Sequence, residues 1–238
     1  MNLSSQIAAN LATVNGRIAE AAARCGRTDG EVTLIAVSKT FGLQHVEAAV
    51  KAGLHDLGEN KVQEAERKKA AATRKPIRWH FIGHLQSNKA RKAATTFDWI
   101  HSVDSVALLR RLDKAAAESG RTPQLLVQVD LAGEATKHGA PETEVARIVD
   151  EATNCRSVVV RGLMVMSPWS ENVETARPYF RRLREMRDRF RAAGPSHQSF
   201  DQLSMGMSHD LEVAVEEGAT MVRIGTALFG PRERPGSL

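Results

Sequence analysis

Short apolar runs alternate with helical patterns along most of the chain. The predicted strands are VTLIAVS at 32–38, HDLGEN at 55–60, WHFIG at 79–83, WIHSV at 99–103, QLLVQVD at 124–130, VVVRGLM at 158–164, QLSMG at 202–206 and MVRIG at 221–225. Between them, segments such as SVALLRRLDKAAAES place apolar residues three and four apart, which predicts helices. Strands that alternate with helices indicate parallel βαβ units. Eight such units in 238 residues favour an α/β fold of the (β/α)₈ barrel type over an open sheet.

Two further patterns are an apolar stripe near the N-terminus and a faint internal repeat. An apolar stripe predicts an additional helix within residues 1–30; its members are Leu11, Val14, Ile18 and Ala22. HVEAAVKAGLHDLGEN at 45–60 resembles DLEVAVEEGATMVRIG at 210–225, and in both a helix runs into a glycine, Gly53 or Gly218, before a strand. Because no linker divides the chain, we expect a single domain over 1–238, with 231–238 as a loose tail.

Composition places the chain among ordinary globular proteins, with 42% hydrophobic and 26% charged residues. The first twenty residues lack the pattern of a secretion signal, and the sequence contains no apolar run of the roughly 18 residues that a membrane span needs. We therefore expect a cytoplasmic protein with no membrane partner.

Much of the basic excess behind the net charge of +5 lies in a single arginine-rich segment. Its members are Arg177, Arg181, Arg182, Arg184, Arg187, Arg189 and Arg191. They could form a nucleic-acid patch, but the same segment has apolar residues at helical spacing, from Val173 to Phe190. This pattern favours an amphipathic helix with a solvated arginine face, and no aromatic platform accompanies it. We expect no nucleic-acid partner.

The functional groups of such a barrel collect at the C-terminal ends of its strands, and Lys39 stands at the first of these. It closes the otherwise apolar run LIAVSKT. The lysine either reaches solvent there or points into the barrel mouth. In the second case, burial would lower its pKa and free a neutral amine to attack a carbonyl.

The loops after strands seven and eight carry the features of a phosphate site. In SMGMSHDLEVAVEEG, Ser208 takes the position of a helix N-cap and Gly206 allows close approach of the backbone. Gly225 and Thr226 in RIGTALFG could add an N–H group and a hydroxyl. Each feature alone is a common cap or turn, but together in these two loops they predict phosphate binding.

Arg223 lies within the last strand between two apolar residues, so its side chain faces the opposite side of the strand. A buried arginine needs a partner. Asp130 or a ligand acceptor such as a ring nitrogen could serve. His80 and His84 lack a carboxylate at usable spacing, so we expect no bound metal.

Several motifs in the same order resemble the pyridoxal phosphate homeostasis proteins, which have the barrel of the alanine racemase N-terminal domain. They are LIAVSKT, DLGENKVQEA, WHFIGHLQSNK, HSVDS, GLMVMSP and LSMGMSHDLEVAVEEGATMVRIGTALFG, between about residue 30 and residue 230. The resemblance implies pyridoxal 5′-phosphate (PLP) as cofactor. It makes Lys39 the Schiff-base lysine and sets Arg223 opposite the pyridine nitrogen. The remaining implied contacts are Ser208, Gly225 and Thr226 at the phosphate, with Asn60 and Met205 as pocket neighbours.

The same resemblance implies a role in intracellular PLP homeostasis, in which the chain buffers the cofactor or delivers it to apoenzymes. The alternative is a PLP-dependent amino-acid racemase. An arginine at the ring nitrogen leaves the pyridine unprotonated and weakens the cofactor as an electron sink. The related racemases also use a tyrosine from a second domain, whereas the only tyrosine here is Tyr179 in the arginine-rich helix. We therefore expect no strong catalytic activity.

Two expectations complete the sequence-based picture. Lys137 in GEATKHG follows the fifth strand and could act as a relay amine or secondary PLP site, although a surface lysine is the simpler interpretation. For the assembly we expect a monomer or a weak homodimer.

Overall fold

The computed structural model describes residues 2–72, 76–133, 138–193 and 200–231. Eight parallel strands close into a barrel in sequence order, with β8 paired to β1. The strands are β1 Thr33–Val37, β2 Asp56–Glu59, β3 Arg78–Phe81, β4 Trp99–Val103, β5 Gln124–Val129, β6 Val159–Val165, β7 Gln202–Met207 and β8 Met221–Ile224. The predicted barrel and all eight predicted strands are confirmed.

Helices surround this barrel in the connections between strands. They are α1 Leu3–Arg24, α2 Leu43–Lys51, α3 Val62–Ala71, α4 Ala90–Thr96, α5 Val106–Ser119, α6 Glu142–Ala152, α7 Arg177–Ala193, α8 Leu211–Glu216 and α9 Thr226–Phe229. Three short 3₁₀ turns lie at Asp29–Glu31, Ser87–Lys89 and Val173–Ala176.

The observed strands end slightly earlier than predicted at several points. The apolar context of Ser38, Asn60, Gly83 and Asp130 predicts strand, but each lies just beyond the last ladder residue. The chain leaves the sheet there to begin a loop on the C-terminal side of the barrel. These positions are therefore free to contribute to the barrel mouth.

The predicted N-terminal helix is α1, and it packs on the outside of the barrel against α2, α8 and α9. Val14, Ile18 and Ala22 of its predicted stripe are buried, while Leu11 is partly buried. Arg17 ties the helix to α8 through two hydrogen bonds to the Glu212 carboxylate, at 2.6 and 2.9 Å.

The two similar segments end their helices in the same way. Gly53 has φ 98° and Gly218 has φ 94°, a left-handed conformation that favours glycine. The residue after each glycine donates its N–H back into the helix, Leu54 to Ala49 and Ala219 to the corresponding carbonyl of α8. This is the closure that a helix-terminating glycine provides before a strand.

The arginine-rich segment forms α7, an amphipathic helix that packs on β6 and β7. Its apolar side buries Phe180, Leu183 and Met186. Several arginines on the other side are ion-paired: Arg177 with Glu174, Glu216 and Glu217; Arg181 and Arg184 with Glu217; Arg182 with Glu142; Arg187 with Asp188. These carboxylates offset much of the positive charge, as the interpretation of a solvated helix face predicts.

Two layers of packing differ sharply in composition. The layer between strands and helices is a large apolar core, with members such as Phe97, Leu109 and Phe180. Inside the barrel, a small apolar cluster comprises Ile35, Leu126, Met164 and Met221, with Trp99 packed against it. Buried polar residues share this interior. Within the described ranges, no helix is long and apolar enough to cross a membrane.

Candidate functional site

A cavity of about 240 Å³ opens at the C-terminal ends of the strands, and Lys39 lines it. The lysine follows β1 by two residues and is half-buried. The other lining residues are Asn60, Ile82, Gly83, His84, Gln128, Val129, Asp130, His138 and Met166. Of the two positions that the sequence allows for Lys39, the structure therefore favours the barrel mouth.

A buried cluster supports the backbone beside Lys39, and we call it the lysine brace: Ser38, Glu59, Glu64 and Lys68. The Lys68 ammonium donates to the Ser38 carbonyl at 2.8 Å and to the Glu59 carboxylate at 2.6 Å. It also reaches Glu64, one helical turn earlier, at 2.8 Å. The Ser38 hydroxyl donates to the same Glu59 oxygen at 2.6 Å. The brace thus joins the end of β1 to the end of β2 and to α3.

The brace also acts on the residue after the lysine. Thr40 has φ 71°, an uncommon conformation for a β-branched residue, and its N–H donates to Glu64 at 2.8 Å. Strained backbone of this kind persists where surrounding contacts fix it, and it clusters at functional sites. Lys39 therefore stands between two anchored backbone groups.

The pKa values of the two carboxylates of the brace shift in opposite directions. For Glu59, burial outweighs the hydrogen bonds from Lys68 and Ser38 and raises the pKa. For Glu64, burial acts in the same direction, but hydrogen bonds from Lys68 and the Thr40 N–H outweigh it and lower the pKa.

The pairing of β8 with β1 brings the second predicted group of residues beside the lysine loop. Ala36 pairs with Ile224, and the Gly225 Cα lies against Val37, since a Cβ added there would be 3.6 Å from the Val37 carbonyl oxygen. The loop after β7 joins them, because the Ala227 N–H donates to the Ser208 hydroxyl at 3.3 Å. The loops after β7 and β8 thus meet near the end of β1, as the phosphate prediction requires.

The prediction that Ser208 caps the following helix is wrong. Asp210 occupies that position, because α8 begins only at Leu211. The Asp210 carboxylate accepts the Met207 N–H at 2.7 Å and the Ser167 hydroxyl at 2.8 Å, which ties the loop to the end of β6. The Ser208 hydroxyl instead accepts the Ala227 N–H in the first turn of α9.

Arg223 is buried inside the barrel, and its described hydrogen-bond partners do not include Asp130, the core acid that the sequence offers. Its guanidinium donates to the Ser204 hydroxyl at 2.7 Å and to the Val165 carbonyl at 2.9 Å. Asp130 instead accepts N–H groups from its own loop, at Ala132 and the following glycine. Burial lowers the pKa of Arg223 to about 10, and Asp210 acts in the opposite direction. The group therefore remains protonated at neutral pH.

Known proteins resemble this chain over nearly its whole length. The family described as "Alanine racemase, N-terminal domain" matches residues 8–233. The Pseudomonas aeruginosa pyridoxal phosphate homeostasis protein is 42% identical over 229 residues, which span 96% of this chain and 97% of that protein. The chain belongs to the pyridoxal phosphate homeostasis protein family. The Escherichia coli K12 member is 38% identical over 96% of this chain and 98% of its own length.

Solved structures agree with this family assignment. PipY of Synechococcus elongatus PCC7942, solved with PLP bound, has a TM-score of 0.84 and 40% identity. The alignment covers 94% of this chain and all of that one. An alanine racemase from Streptomyces coelicolor A3(2) has a TM-score of 0.71 at 20% identity, with 95% of this chain and 58% of that one covered. The likeness to the racemase shows a shared barrel alone.

The two remaining residues implied by the homeostasis family take different places. Asn60 lines the mouth cavity, and its buried Oδ1 lacks a hydrogen-bond partner within the described part of the chain. A Cβ on Gly83 would lie 2.5 Å from the Asn60 carbonyl oxygen, so the glycine allows β3 to end against this residue. Met205 is fully buried in the outer apolar layer. Strand alternation turns its side chain away from the interior, so the place of Met205 as a pocket neighbour stays a prediction.

Other polar side chains of this family member gather at the far side of the mouth. The His84 ring stacks on that of His138 with centroids 3.6 Å apart, and it lies 3.8 Å from the Asp104 carboxylate. Across the described ranges, no three His, Cys, Asp or Glu side chains are grouped to hold a metal ion. Lys137 lies outside the described residues, so its proposed relay role stays a prediction.

Sequence reasoning missed a row of polar groups within the barrel. His80 contacts His101 and Asp56, and His101 contacts Ser204, the partner of Arg223. We call these five residues the interior chain. A signal for them is present in the strands, where polar residues alternate with buried apolar ones, as in Trp-His-Phe of β3 and Leu-Ser-Met of β7. The lysine brace was missed in the same way, although the i,i+4 spacing of Glu64 and Lys68 is a recognisable pair.

Proposed function

We propose that this chain holds PLP as a Schiff base on Lys39 and buffers it or delivers it to PLP-dependent apoenzymes. The observation that carries the proposal is the position of Lys39 in the mouth cavity, beside the strand that bears Arg223. PipY, a relative at 40% identity over nearly the whole chain, was solved with PLP bound. A bound PLP would supply an aldehyde that a neutral lysine amine can attack, with loss of water.

The residues at the mouth suit the parts of this cofactor. Lys39 supplies the amine, and Asn60 offers a buried amide oxygen without a protein partner among the described residues. Arg223 presents a protonated donor suited to an unprotonated ring nitrogen. A phosphate needs hydroxyl and N–H donors, which Ser208, Thr226 and the Gly225 backbone would provide. The protein around Gly225 leaves room for a Cβ, so packing within the chain does not require a glycine there. Close approach of a phosphate to its backbone would explain the glycine.

An open site supports the handling of the cofactor over catalysis with it. Lys39 is half-buried, Thr226 is exposed, and Met166 at the mouth is 41% exposed. Enzyme sites that stabilise reactive species commonly exclude water. Tyr179, the one tyrosine in the sequence, lies on α7 against the outer wall of the barrel. An accessible mouth allows an acceptor amine to approach and the cofactor to leave.

Reductive labelling tests the covalent assignment. Purified protein loaded with PLP should show a visible absorption band, and borohydride followed by peptide mapping should place a pyridoxyl group on Lys39. Lys39→Arg keeps the positive charge but cannot form the Schiff base, so it is the matched control and should lose both signals. A label found mainly on Lys137 or another lysine would contradict the assignment, as would an unlabelled protein.

The non-catalytic aspect of the proposal is tested separately. Protein supplied with PLP should not racemise alanine appreciably, as measured by chiral chromatography with Lys39→Ala as control. The absence of a tyrosine from the described mouth removes one usual acid/base partner. Turnover of about 1 per second or faster that disappears in the control would make the chain an enzyme.

A further inference from the structure

The interior chain crosses the barrel from its N-terminal end to Arg223. Asp56 accepts from Arg78 at that end, and its Oδ1 lies 2.9 Å from His80 Nε2. His80 Nδ1 lies 3.0 Å from His101 Nε2. His101 Nδ1 lies 2.9 Å from the Ser204 hydroxyl, which accepts from Arg223 at 2.7 Å. The two histidines and the serine are fully buried, so each contact is protected from water.

The chemistry of the two ends fixes the direction of every hydrogen bond between them. An ionised carboxylate only accepts, so His80 must carry its proton on Nε2. A neutral His80 then accepts at Nδ1, which requires His101 to carry its proton on Nε2 as well. His101 in turn accepts from the Ser204 hydroxyl, whose oxygen is left to accept from Arg223. An arginine only donates, so the assignment made from Asp56 agrees with the one made from Arg223.

The electrostatics of the interior agree with neutral histidines. Burial lowers the pKa of His80 despite its contact with Asp56, and it lowers the pKa of His101 well below the ordinary value. For Asp56, burial would raise the pKa, but hydrogen bonds from His80 and Arg78 outweigh it and keep the carboxyl ionised at neutral pH. Neutral, mutually polarised groups thus connect a buried cation to a carboxylate at the other end of the barrel.

We propose that His80, His101 and Ser204 are positioning residues for the Arg223 guanidinium. Their hydrogen bonds run in one direction from Arg223 to Asp56 and hold the guanidinium at the ring-nitrogen end of the cofactor site. The cofactor aspect of this inference rests on the proposed function, whereas the direction of the chain does not. Barrel interiors are ordinarily filled by branched apolar side chains. A row of polar side chains in their place costs stability. The need to fix Arg223 explains why this barrel carries such a row.

The first test observes the wild-type chain as cofactor-free, ¹⁵N-labelled protein. Long-range ¹H–¹⁵N correlation spectra at neutral pH should show both His80 and His101 as neutral rings with the proton on Nε2. Signals are assigned by their loss in His80→Gln and His101→Gln. A proton on Nδ1 of either ring, or a charged ring, would overturn the proposed direction even if PLP binding is later confirmed.

The second test compares two buried serines in PLP-loaded protein. Ser204→Ala removes the link to Arg223, whereas Ser102→Ala removes a buried hydroxyl that has no hydrogen-bond partner in the described structure. Loss of one such hydrogen bond should raise the PLP dissociation constant of Ser204→Ala about threefold to tenfold. It should also shift the position of the visible band. Ser102→Ala should match the wild type, and equal behaviour of the two variants would refute the role of the chain.

A second pair of variants keeps the test valid if Ser204→Ala folds poorly. Glutamine at position 101 can still donate toward His80 and accept from Ser204, but leucine can do neither. His101→Gln should therefore retain the wild-type band and affinity within about twofold, while His101→Leu should lose affinity as Ser204→Ala does. Equal losses of PLP affinity in both variants would show that the interior chain acts only through packing. A wild-type protein that binds no PLP would instead refute the proposed function and leave the spectra of the cofactor-free protein to decide the chain's direction.

Discussion

The two ends of the candidate site are supported at different levels. The lysine brace contacts backbone groups, the carbonyl before Lys39 and the N–H after it. The interior chain ends on a side chain, the guanidinium of Arg223. A lysine that forms and releases a covalent bond must move its side chain, so support at its backbone suits it. An arginine opposite a ring nitrogen must keep its plane, which requires direct contacts to the guanidinium.

The two networks also compensate charge differently. In the lysine brace, a buried ammonium lies directly between two carboxylates, Glu59 and Glu64. In the interior chain, neutral groups separate Arg223 from Asp56, whose nearest cation is the exposed Arg78. Removing a buried partner leaves an uncompensated charge, whereas water replaces an exposed one. The ion pair of Lys68 should therefore contribute far more to the free energy of unfolding than the ion pair of Arg78.

The largest expected effect is at the lysine brace. Lys68→Met keeps the length of the side chain but leaves Glu59 buried without its cation, so the free energy of unfolding should fall by about 3–5 kcal/mol. Urea unfolding monitored by circular dichroism measures it. Lys69→Met is the matched control, because its ammonium makes a hydrogen bond to the Thr96 carbonyl at 2.6 Å, and its loss should cost about 1 kcal/mol.

The pH dependence of the Lys68→Met variant sharpens the same test. The pKa of Glu59 is already raised by burial in the wild type, and removal of Lys68 must raise it further. A carboxyl whose folded pKa exceeds its unfolded value contributes stability below the unfolded pKa, and this contribution is lost as pH rises through the folded pKa. The cost of the substitution should therefore be smaller at about pH 5 than at about pH 8. A pH-independent cost below that of the control would show that the brace is not electrostatic.

The sequence predicted the barrel well because its period-two and helical patterns report burial directly. Strand ends were less accurate, since residues such as Asn60 and Asp130 continue an apolar run but have already left the ladder. Lys39 and Arg223 were identified because a charged residue in an apolar strand is expensive to bury. Lys39 lines the cavity at the barrel mouth, and Arg223 is buried in the barrel interior.

The supports of the site were beyond local sequence reasoning because their partners come from different elements. His80 and His101 meet only when β3 and β4 are adjacent in the closed sheet, and Ser204 lies 103 positions after its histidine partner. The assigned cap at Ser208 was wrong for a related reason. Asp210, the residue before α8, contacts Met207 and Ser167, and Ser167 lies in the loop after β6, 43 positions earlier in the chain.

A smaller effect is expected at the proposed phosphate end, in the loops that follow β7 and the Arg223 strand β8. Ser208→Ala and Thr226→Ala should each weaken PLP retention by about 1 kcal/mol or more, since each would remove a proposed hydrogen bond to the charged phosphate. Equilibrium dialysis measures retention, and thermal unfolding checks that the barrel is intact. Ser170→Ala is the control, because its hydroxyl accepts the Asn172 N–H within its own loop. Unchanged retention in both variants would move the phosphate elsewhere and separate it from the arginine end.

The smallest effect is predicted for Arg78→Gln, at the exposed end of the interior chain. Arg78 makes two hydrogen bonds to Asp56, at 2.7 and 2.6 Å, but 62% of its side chain is exposed. Because water can replace it, the free energy of unfolding should fall by at most about 1 kcal/mol. The hydrogen bond from His80 lowers the pKa of Asp56 together with Arg78, and this bond remains in the variant. A group with a lowered pKa contributes stability above its unfolded pKa and loses it as pH falls, so the difference from wild type should shrink toward about pH 3. A loss comparable to that of Lys68→Met would mean that the exposed pair anchors the whole chain, and the contrast between the two ends would not stand.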